Sequence, residues 1–216
     1  NNIPLIVMDR PNPNAHYVDG PVLDLDNQSF VGMHEVPIVY GLTIGEYATM
    51  INNEGWLNNN MKSNLTIIEL KNYNRKVTYD LPILPSPNLP NRKSINLYPS
   101  LCLFEGTNVS VGRGTEMQFQ IYGSPYLNKE KNNFRFTPKK NSGSKYPKHE
   151  NLLCFGKNLS ENKKLDKFDL SFLLNAYSDT NDKQNFFNNY FDKLAGTNSL
   201  KNQIISGLSE KKIIQS

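Results

Sequence analysis

The first hydrophobic positions of the chain form one continuous run, from Ile3 to Met8. A strand in a parallel sheet is covered on both faces, so its sequence lacks the alternation of a half-exposed strand. The run therefore predicts a buried parallel strand whose neighbours in the sheet come from a region that precedes it. Within residues 1–216 we expect this strand to lie at a sheet edge.

A helix is predicted from Thr43 to Glu54. Thr43 is a favourable N-terminal cap, and Glu46, three residues later, completes a capping box. The apolar residues of this segment share one face of a helix, and Gly55 provides the stop. Because the cap accounts for Glu46, we interpret this residue as structural rather than catalytic.

A polar stretch, Asn58 to Ser63, indicates a domain boundary. We place one domain at residues 1–62 and a second at residues 63–216. The second is predicted to begin with a strand, Leu65 to Leu70. The parallel-strand pattern followed by mixed strands and helices predicts the α/β class, with an α+β arrangement in the C-terminal part.

The densest group of functional side chains follows Tyr98. Leu101 to Phe104 is a short apolar run and predicts a buried strand, and Glu105 to Thr115 is polar and interrupted by glycines. Carboxylate, amide, hydroxyl and guanidinium groups at a strand end suit recognition of a hydroxyl-rich substrate. The alternative is a polar turn in which Arg113 pairs with Glu105 and no ligand binds.

The remaining chain is predicted to contain further strands and then helices. A proline-rich segment, Pro82 to Pro90, is too stiff for either element and presents Asn88 as a preset amide. Helical patterns begin near Asp166, and the aromatic residues from Phe186 onward are interpreted as core. The predicted strands are Gln118 to Tyr122, Asn132 to Thr137 and Leu152 to Phe155.

Composition and charge narrow the function classes. The net charge is +4, and the basic residues are scattered apart from a lysine-rich stretch between Lys129 and Lys148. Nucleic-acid binding by that stretch is a weaker interpretation than a solvated loop, so we predict no nucleic-acid partner. No apolar run is long enough to span a bilayer. The three histidines are isolated, so neither a metal nor another cofactor is predicted.

Several ordered motifs resemble those of a known family. The chain is similar to the NamZ-type exo-β-N-acetylmuramidases, long catalogued as a family of unknown function, from about Ile3 to its end. The motifs are Ile6-Val-Met-Asp-Arg-Pro-Asn-Pro13, Ser29-Phe-Val-Gly32, Gly41-Leu-Thr-Ile-Gly-Glu-Tyr-Ala48, Pro85-Ser-Pro-Asn-Leu-Pro90, Glu105-Gly-Thr-Asn108, Gly112-Arg-Gly-Thr115 and Phe191-Asp-Lys-Leu-Ala-Gly196.

The resemblance implies a glycoside hydrolase that removes N-acetylmuramic acid from the non-reducing ends of peptidoglycan fragments. Family members are longer, and their first half is a Rossmann-like region with a Pro-Glu-His-Gly stretch that this chain lacks. The chain therefore resembles the C-terminal half of a family member, with residues 1–62 as the end of the Rossmann-like region. Val39-Tyr40 also departs from the Arg-His of many relatives.

With this resemblance, Glu105 is the candidate catalytic carboxylate, and its partner would lie in the absent half. Arg10 and Arg113 are candidates for binding the lactyl carboxylate of muramic acid, because guanidinium groups grip carboxylates in bidentate fashion. The remaining substrate-binding candidates are Asn12, Asn88, Asn108, Ser110 and Thr115.

A glycan-binding module without catalytic activity remains the alternative, because it uses the same polar groups and needs no second carboxylate. The expected partners are peptidoglycan fragments or muropeptides, together with the absent N-terminal half. The resemblance also implies a periplasmic or secreted protein, either free or anchored as a lipoprotein through a preceding segment.

Overall fold

The computed structural model describes residues 3–215. Its strands are β1 (Leu5–Met8), β2 (Asp19–Val22), β3 (Pro37–Val39), β4 (Leu65–Ile68), β5 (Ile121–Ser124), β6 (Phe134–Phe136) and β7 (Cys154–Asn158). Its α-helices are α1 (Ile44–Asn53), α2 (Arg92–Leu101), α3 (Ser171–Asp179), α4 (Phe191–Ala195), α5 (Ser199–Ile205) and α6 (Glu210–Ile214). Parallel and antiparallel pairing together with helices confirms the predicted α/β class.

Strand β1 pairs in parallel with β4, in register from Leu5 opposite Leu65. Within residues 3–215 it has no second strand neighbour, so the predicted edge position is confirmed. Helix α1 packs against both strands. Burial on both faces is not achieved in this chain, because Ile6 is 63% exposed and Met8 is 72% exposed. Since β4 lies beyond residue 62, the pair crosses the proposed boundary, which stays a prediction.

The capping box at the start of α1 is confirmed. The Glu46 amide donates to Thr43 Oγ1 at 3.2 Å, and the Thr43 amide donates to Glu46 Oε2 at 2.8 Å. Thr43 Oγ1 in turn donates to Asp9 Oδ2 at 2.8 Å, which ties the helix to the end of β1. The helix is followed by Gly55 in the left-handed conformation, with φ of 73°.

The predicted strand from Leu101 to Phe104 is wrong, because this run is helical. Helix α2 continues into a 3₁₀ turn, Cys102–Gly106. The helix starts at a second capping box, in which Asn91 Oδ1 accepts the Ser94 amide at 2.9 Å. A short apolar run fits a buried helix as well as a strand. The burial itself was predicted correctly, since Leu101 and Phe104 are inaccessible to solvent.

A proline inside α2 is compensated by the N-terminal part of the chain. Pro99 has no amide hydrogen, so the carbonyl of Ile95 loses its helical partner. Asn14 Nδ2 donates to that carbonyl at 2.8 Å instead. This hydrogen bond joins the N-terminal part directly to the central helix.

The C-terminal part contains an antiparallel sheet in the order β5-β7-β6. Strand β5 begins later than predicted, because Phe119 has a φ of 52° that an extended strand cannot include. Phe186 and Phe187 lie before α4 rather than inside a helix, because their backbone bonds and bridges to Thr107 and Asn108. Phe186 is a core residue as predicted, and Phe187 is partly buried against the core. The cysteines are unpaired.

The N-terminal part also contains a short antiparallel ribbon that begins with β2. That strand pairs with β3 in an antiparallel ribbon. No helix in the described part of the chain is long and apolar enough to cross a membrane.

Candidate active site

The polar stretch after α2 lines an open cleft of about 480 Å³. One wall is formed by the 3₁₀ turn and the loop that follows it. The opposite wall is the segment from Gly143 to Lys148, and Tyr190 closes one end. The lining residues are Glu105, Val109, Ser110, Val111, Arg113, Gly143, Ser144, Lys145, Tyr146, Lys148 and Tyr190.

Glu105 enters the cleft from the 3₁₀ turn. The next residue, Gly106, lies so close to α4 that an added Cβ would be 2.6 Å from the Phe191 Cα. This close packing fixes the backbone next to the carboxylate. The Glu105 side chain is 34% exposed, so part of it packs against the protein and part remains accessible to a ligand.

Arg113 reaches back across the turn to Glu105. Its Nη1 atom donates to Glu105 Oε1 at 2.7 Å, and its side chain is 41% exposed. The turn is possible because Gly112 and Gly114 both have positive φ, at 77° and 84°. The pair thus has the geometry expected of the alternative, a polar turn in which Arg113 pairs with Glu105. It also lies in a cleft, as the substrate-binding hypothesis requires.

The other predicted residues of this loop have different roles. Ser110 lines the cleft, and its Oγ accepts the Gly112 amide at 3.2 Å. Thr115 Oγ1 donates to the Gly112 carbonyl at 2.7 Å and closes the turn, outside the cleft lining. The Asn108 amide group is buried, and neither of its polar atoms has a hydrogen-bond partner among residues 3–215.

Asn108 is also outside the cleft lining, and so are the three predicted residues from the other motifs, Arg10, Asn12 and Asn88. Asn88 is buried, and its Nδ2 atom donates to the Gly143 carbonyl at 2.7 Å, so it supports the rim from behind. Asn12 Nδ2 donates to the carbonyl of the distant Leu42 at 2.9 Å, and its Oδ1 accepts the Asn14 amide within its own turn at 2.9 Å. Arg10 is exposed near α1, because Asp9 in the same motif is used to hold that helix.

Sequence reasoning missed two residues, Lys148 in the opposite wall and His149 directly after it. Lys148 was grouped with solvated lysines, but burial lowers its pKa to about 8, an effect that Glu105 opposes and Arg113 reinforces. His149 was considered only as an isolated histidine. Burial lowers its pKa as well, and the Asn108 carbonyl opposes that shift. No motif in the sequence marks either residue.

The cleft contains no arrangement suited to a metal. Among residues 3–215, no group of three histidine, cysteine or acidic side chains is close enough to bind an ion. The chemistry available in the described cleft is that of one carboxylate, one guanidinium, hydroxyl groups and an aromatic rim.

Comparison with known proteins shows which class has this fold and cleft. Residues 1–93 match the family model described as exo-beta-N-acetylmuramidase NamZ, N-terminal. Residues 96–216 match the corresponding C-terminal model. Both models describe a glycosidase class. The chain belongs to the NamZ family, as the motifs had indicated.

Individual relatives agree with this assignment. The chain is 36% identical over 242 residues to peptidoglycan beta-N-acetylmuramidase NamZ of Bacillus subtilis, a match that covers 100% of this chain and 56% of the relative. The chain thus spans little more than half the length of that protein.

Solved structures of related proteins also resemble this chain and are likewise longer than it. A crystal structure of a DUF1343 family protein from Bacteroides fragilis has a TM-score of 0.93 and 46% identity, covering 98% of this chain and 61% of the other. A second protein of that family and organism has a TM-score of 0.73 at 23% identity, covering 95% of this chain and 59% of the other. The second likeness concerns the fold alone.

Proposed function

We propose that the protein is a glycoside hydrolase that releases N-acetylmuramic acid from the non-reducing ends of peptidoglycan fragments. The observation that carries the proposal is the Glu105–Arg113 pair at the wall of an open cleft, in a chain of the NamZ family. The name of the Bacillus relative supports the same substrate class.

Most glycosidases use two carboxyl groups, one as general acid and the other as base or nucleophile. Glu105 is the one carboxylate among the described lining residues. A carboxylate held by a guanidinium group suits acceptance of a proton or attack on the sugar. We therefore assign the general acid to a carboxyl group from the part of the family fold that this chain does not span.

Arg113 serves the substrate in this scheme. A guanidinium group carries five N–H donors, and within residues 3–215 the Arg113 side chain uses one of them, at Nη1, for Glu105. The remaining donors can face the lactyl carboxylate that distinguishes muramic acid from other amino sugars. Ser110, in the same wall, can bond to a sugar hydroxyl. Binding by Arg10, Asn12, Asn88, Asn108 and Thr115 stays a prediction.

The exposed faces of β1 indicate where the additional region would dock. A two-stranded parallel sheet with exposed Ile6 and Met8 is an unstable arrangement unless further strands or helices cover it. We propose that the first half of the family fold supplies that cover. The substrate also implies action in the periplasm or outside the cell.

A glycan-binding module without catalysis is the second candidate. The described cleft provides one carboxylate, and that carboxylate is already paired with Arg113. A glycan-binding site needs no second carboxylate. The two candidates differ in one measurable outcome, which is the release of muramic acid from a chromogenic muraminide by the complete product of the reading frame.

The test uses Glu105→Gln and Arg113→Ala in that complete product. Loss of general acid–base catalysis lowers kcat by about 10²–10⁴, so Glu105→Gln should do so with little change in KM. Arg113→Ala should mainly raise KM, and less so for a substrate without the lactyl group, because that charge pair is then already absent.

Matched controls are Glu116→Gln, an exposed carboxylate outside the lining, and Arg92→Ala, which breaks an exposed pair with Asp80. Both should leave kcat and KM unchanged. If Glu105→Gln and Arg113→Ala instead lowered the melting temperature together and spared kcat, the pair would be a structural turn. Absence of any release by the wild type, with retained glycan binding, would favour the binding module.

A further inference from the structure

Two adjacent residues hold most of the backbone carbonyls in the segment from Phe104 to Val109. Lys148 Nζ donates to the carbonyls of Phe104 and Val109, each at 3.1 Å, and also to the Thr107 carbonyl. His149 Nε2 bonds to the Asn108 carbonyl at 2.6 Å. Two consecutive residues thus bind four carbonyls of the segment that carries Glu105.

These contacts satisfy backbone carbonyls that the fold has buried. Thr107 and Val109 are buried, and a buried carbonyl without a partner costs free energy comparable to a lost hydrogen bond. The amides of this segment already bond elsewhere, Asn108 to the Phe186 carbonyl and Ser110 to the Gly123 carbonyl. An ammonium group has three donors and no acceptor, which matches three converging carbonyls.

The backbone of His149 supports the same interpretation. Its φ is 61°, a left-handed conformation that residues other than glycine adopt infrequently. Because a carbonyl only accepts, the bond to Asn108 requires that Nε2 carries the hydrogen. The ring also packs edge-on against Tyr126, with centroids 5.8 Å apart. The residue is therefore held in one orientation.

We propose that Lys148 and His149 are positioning residues, which fix the Phe104–Val109 segment and so set the place of Glu105 in the cleft. The proposal rests on the proposed function for its effect on turnover. Its effect on the segment itself does not depend on that function.

The hydrogen bonds that Lys148 donates depend on its protonation state. The charged groups that face it are Glu105, which favours the ammonium form, and Arg113, which opposes it, and His149 is its neighbour. With a pKa of about 8, the ammonium group loses a proton within the alkaline range of an ordinary assay. The neutral amine has two donors and a lone pair, so it can no longer donate to all three carbonyls at once. The Phe104 carbonyl also accepts the Thr107 amide and hydroxyl, so the carbonyls that depend on Lys148 are those of Thr107 and Val109.

The pH dependence of stability distinguishes a loss of positioning at Lys148 from unfolding of the protein. An unfolded lysine has a pKa of about 10.4, so the folded state loses its proton first. Between about pH 8 and pH 10 the Lys148 contribution to the free energy of unfolding therefore rises with pH. Loss of positioning should appear as falling kcat without a Lys148-dependent fall in melting temperature.

The experiment compares Lys148→Met with Lys148→Arg and with Lys129→Met, an exposed lysine outside the cleft. Small misplacement of a catalytic group costs about 10²-fold in rate, so Lys148→Met should lower kcat by about that factor with less change in KM. Amide hydrogen exchange in residues 104–110 should accelerate. Lys129→Met should stay within about twofold of wild type.

Lys148→Arg keeps the charge and the donors, and its guanidinium does not titrate in this range. It should restore part of kcat and move the alkaline limb of the pH profile upward. His149→Asn tolerates the left-handed backbone and loses the bond from Nε2, so kcat should fall about five- to tenfold.

The proposal is overturned if Lys148→Met leaves both kcat and hydrogen exchange in residues 104–110 at wild-type values. If that variant does not fold, Lys148→Arg decides: an alkaline limb of its kcat profile that stays at the wild-type position also overturns the proposal. If the wild type releases no muramic acid but Lys148→Met still accelerates exchange in residues 104–110, the proposed function is refuted and the positioning role is supported.

Discussion

The N-terminal region, residues 3–90, and the C-terminal region, residues 91–215, differ in how completely they bury their apolar side chains. The buried apolar residues before α2 are Ala15, Leu23 and Val39, and the rest of the described core lies in the C-terminal region. The N-terminal region instead exposes a series of large apolar side chains on its strands and ribbon. Most of the core therefore lies in the C-terminal region, and Val39 joins it from the N-terminal region, whose exposed strands are suited to be covered.

The difference indicates which region provides most of the stability of the chain. Tyr122 stacks on Phe104 with ring centroids 4.9 Å apart, and both are buried within the C-terminal core. No comparable group lies among the described residues of β1 and β4. We expect the C-terminal region to determine global unfolding of residues 1–216, and the N-terminal region to open locally.

The largest expected effect is that of a core truncation. Phe104→Ala should lower the free energy of unfolding by about 3–5 kcal/mol, because it removes a fully buried ring. Ile6→Ala, on exposed β1, should change it by no more than about 0.5 kcal/mol in residues 1–216. Urea denaturation measures both. Equal losses for the two variants would remove the distinction between the regions.

A medium effect is expected at the caps of α1 and α2. Thr43→Ala removes a cap that also bonds Asp9, and Asn91→Ala removes the cap of α2, each at a cost of about 0.5–2 kcal/mol. Hydrogen exchange should accelerate in α1 and β1 for the first variant. For the second variant it should accelerate across the C-terminal core. A uniform response to Thr43→Ala would show that the two regions unfold together.

The smallest effect should come from Glu46→Gln. Glu46 pairs with Arg75 on the surface, and such pairs contribute about 0–1 kcal/mol. The amide oxygen of glutamine can still accept the Thr43 amide, so the cap survives. Steady-state assays should find kcat unchanged, in contrast to Glu105→Gln. Lost turnover with unchanged melting temperature would instead identify Glu46 as catalytic.

Local patterns in the sequence predicted local structure well. The Thr43 and Glu46 capping box involves residues three positions apart, so its signal is complete within one turn of helix. The same kind of signal at Asn91 and Ser94 was overlooked. The apolar run that followed was consequently predicted as a strand, although its burial was correct.

Contacts between distant segments were harder to predict. Glu105 and Arg113 were recognised together because they are eight positions apart in one loop. Lys148 contacts carbonyls 39 to 44 positions earlier, and nothing in its sequence surroundings distinguishes it from the exposed lysines nearby. Conversely, Asn12 and Arg10 were expected in the cleft because of their motif, whereas the fold uses that motif to anchor α1.

The two cysteines, both in the C-terminal region, give this molecule an inherent chemical reporter. Burial raises the pKa of each thiol to about 12, with Glu105 adding to the effect at Cys102. Thiolate is the reactive form, so both sulfurs should resist oxidation and alkylation while the core is intact, even in an oxidising compartment. Labelling by a thiol reagent would therefore count openings of the C-terminal core, without any introduced probe and without a signal from the N-terminal region.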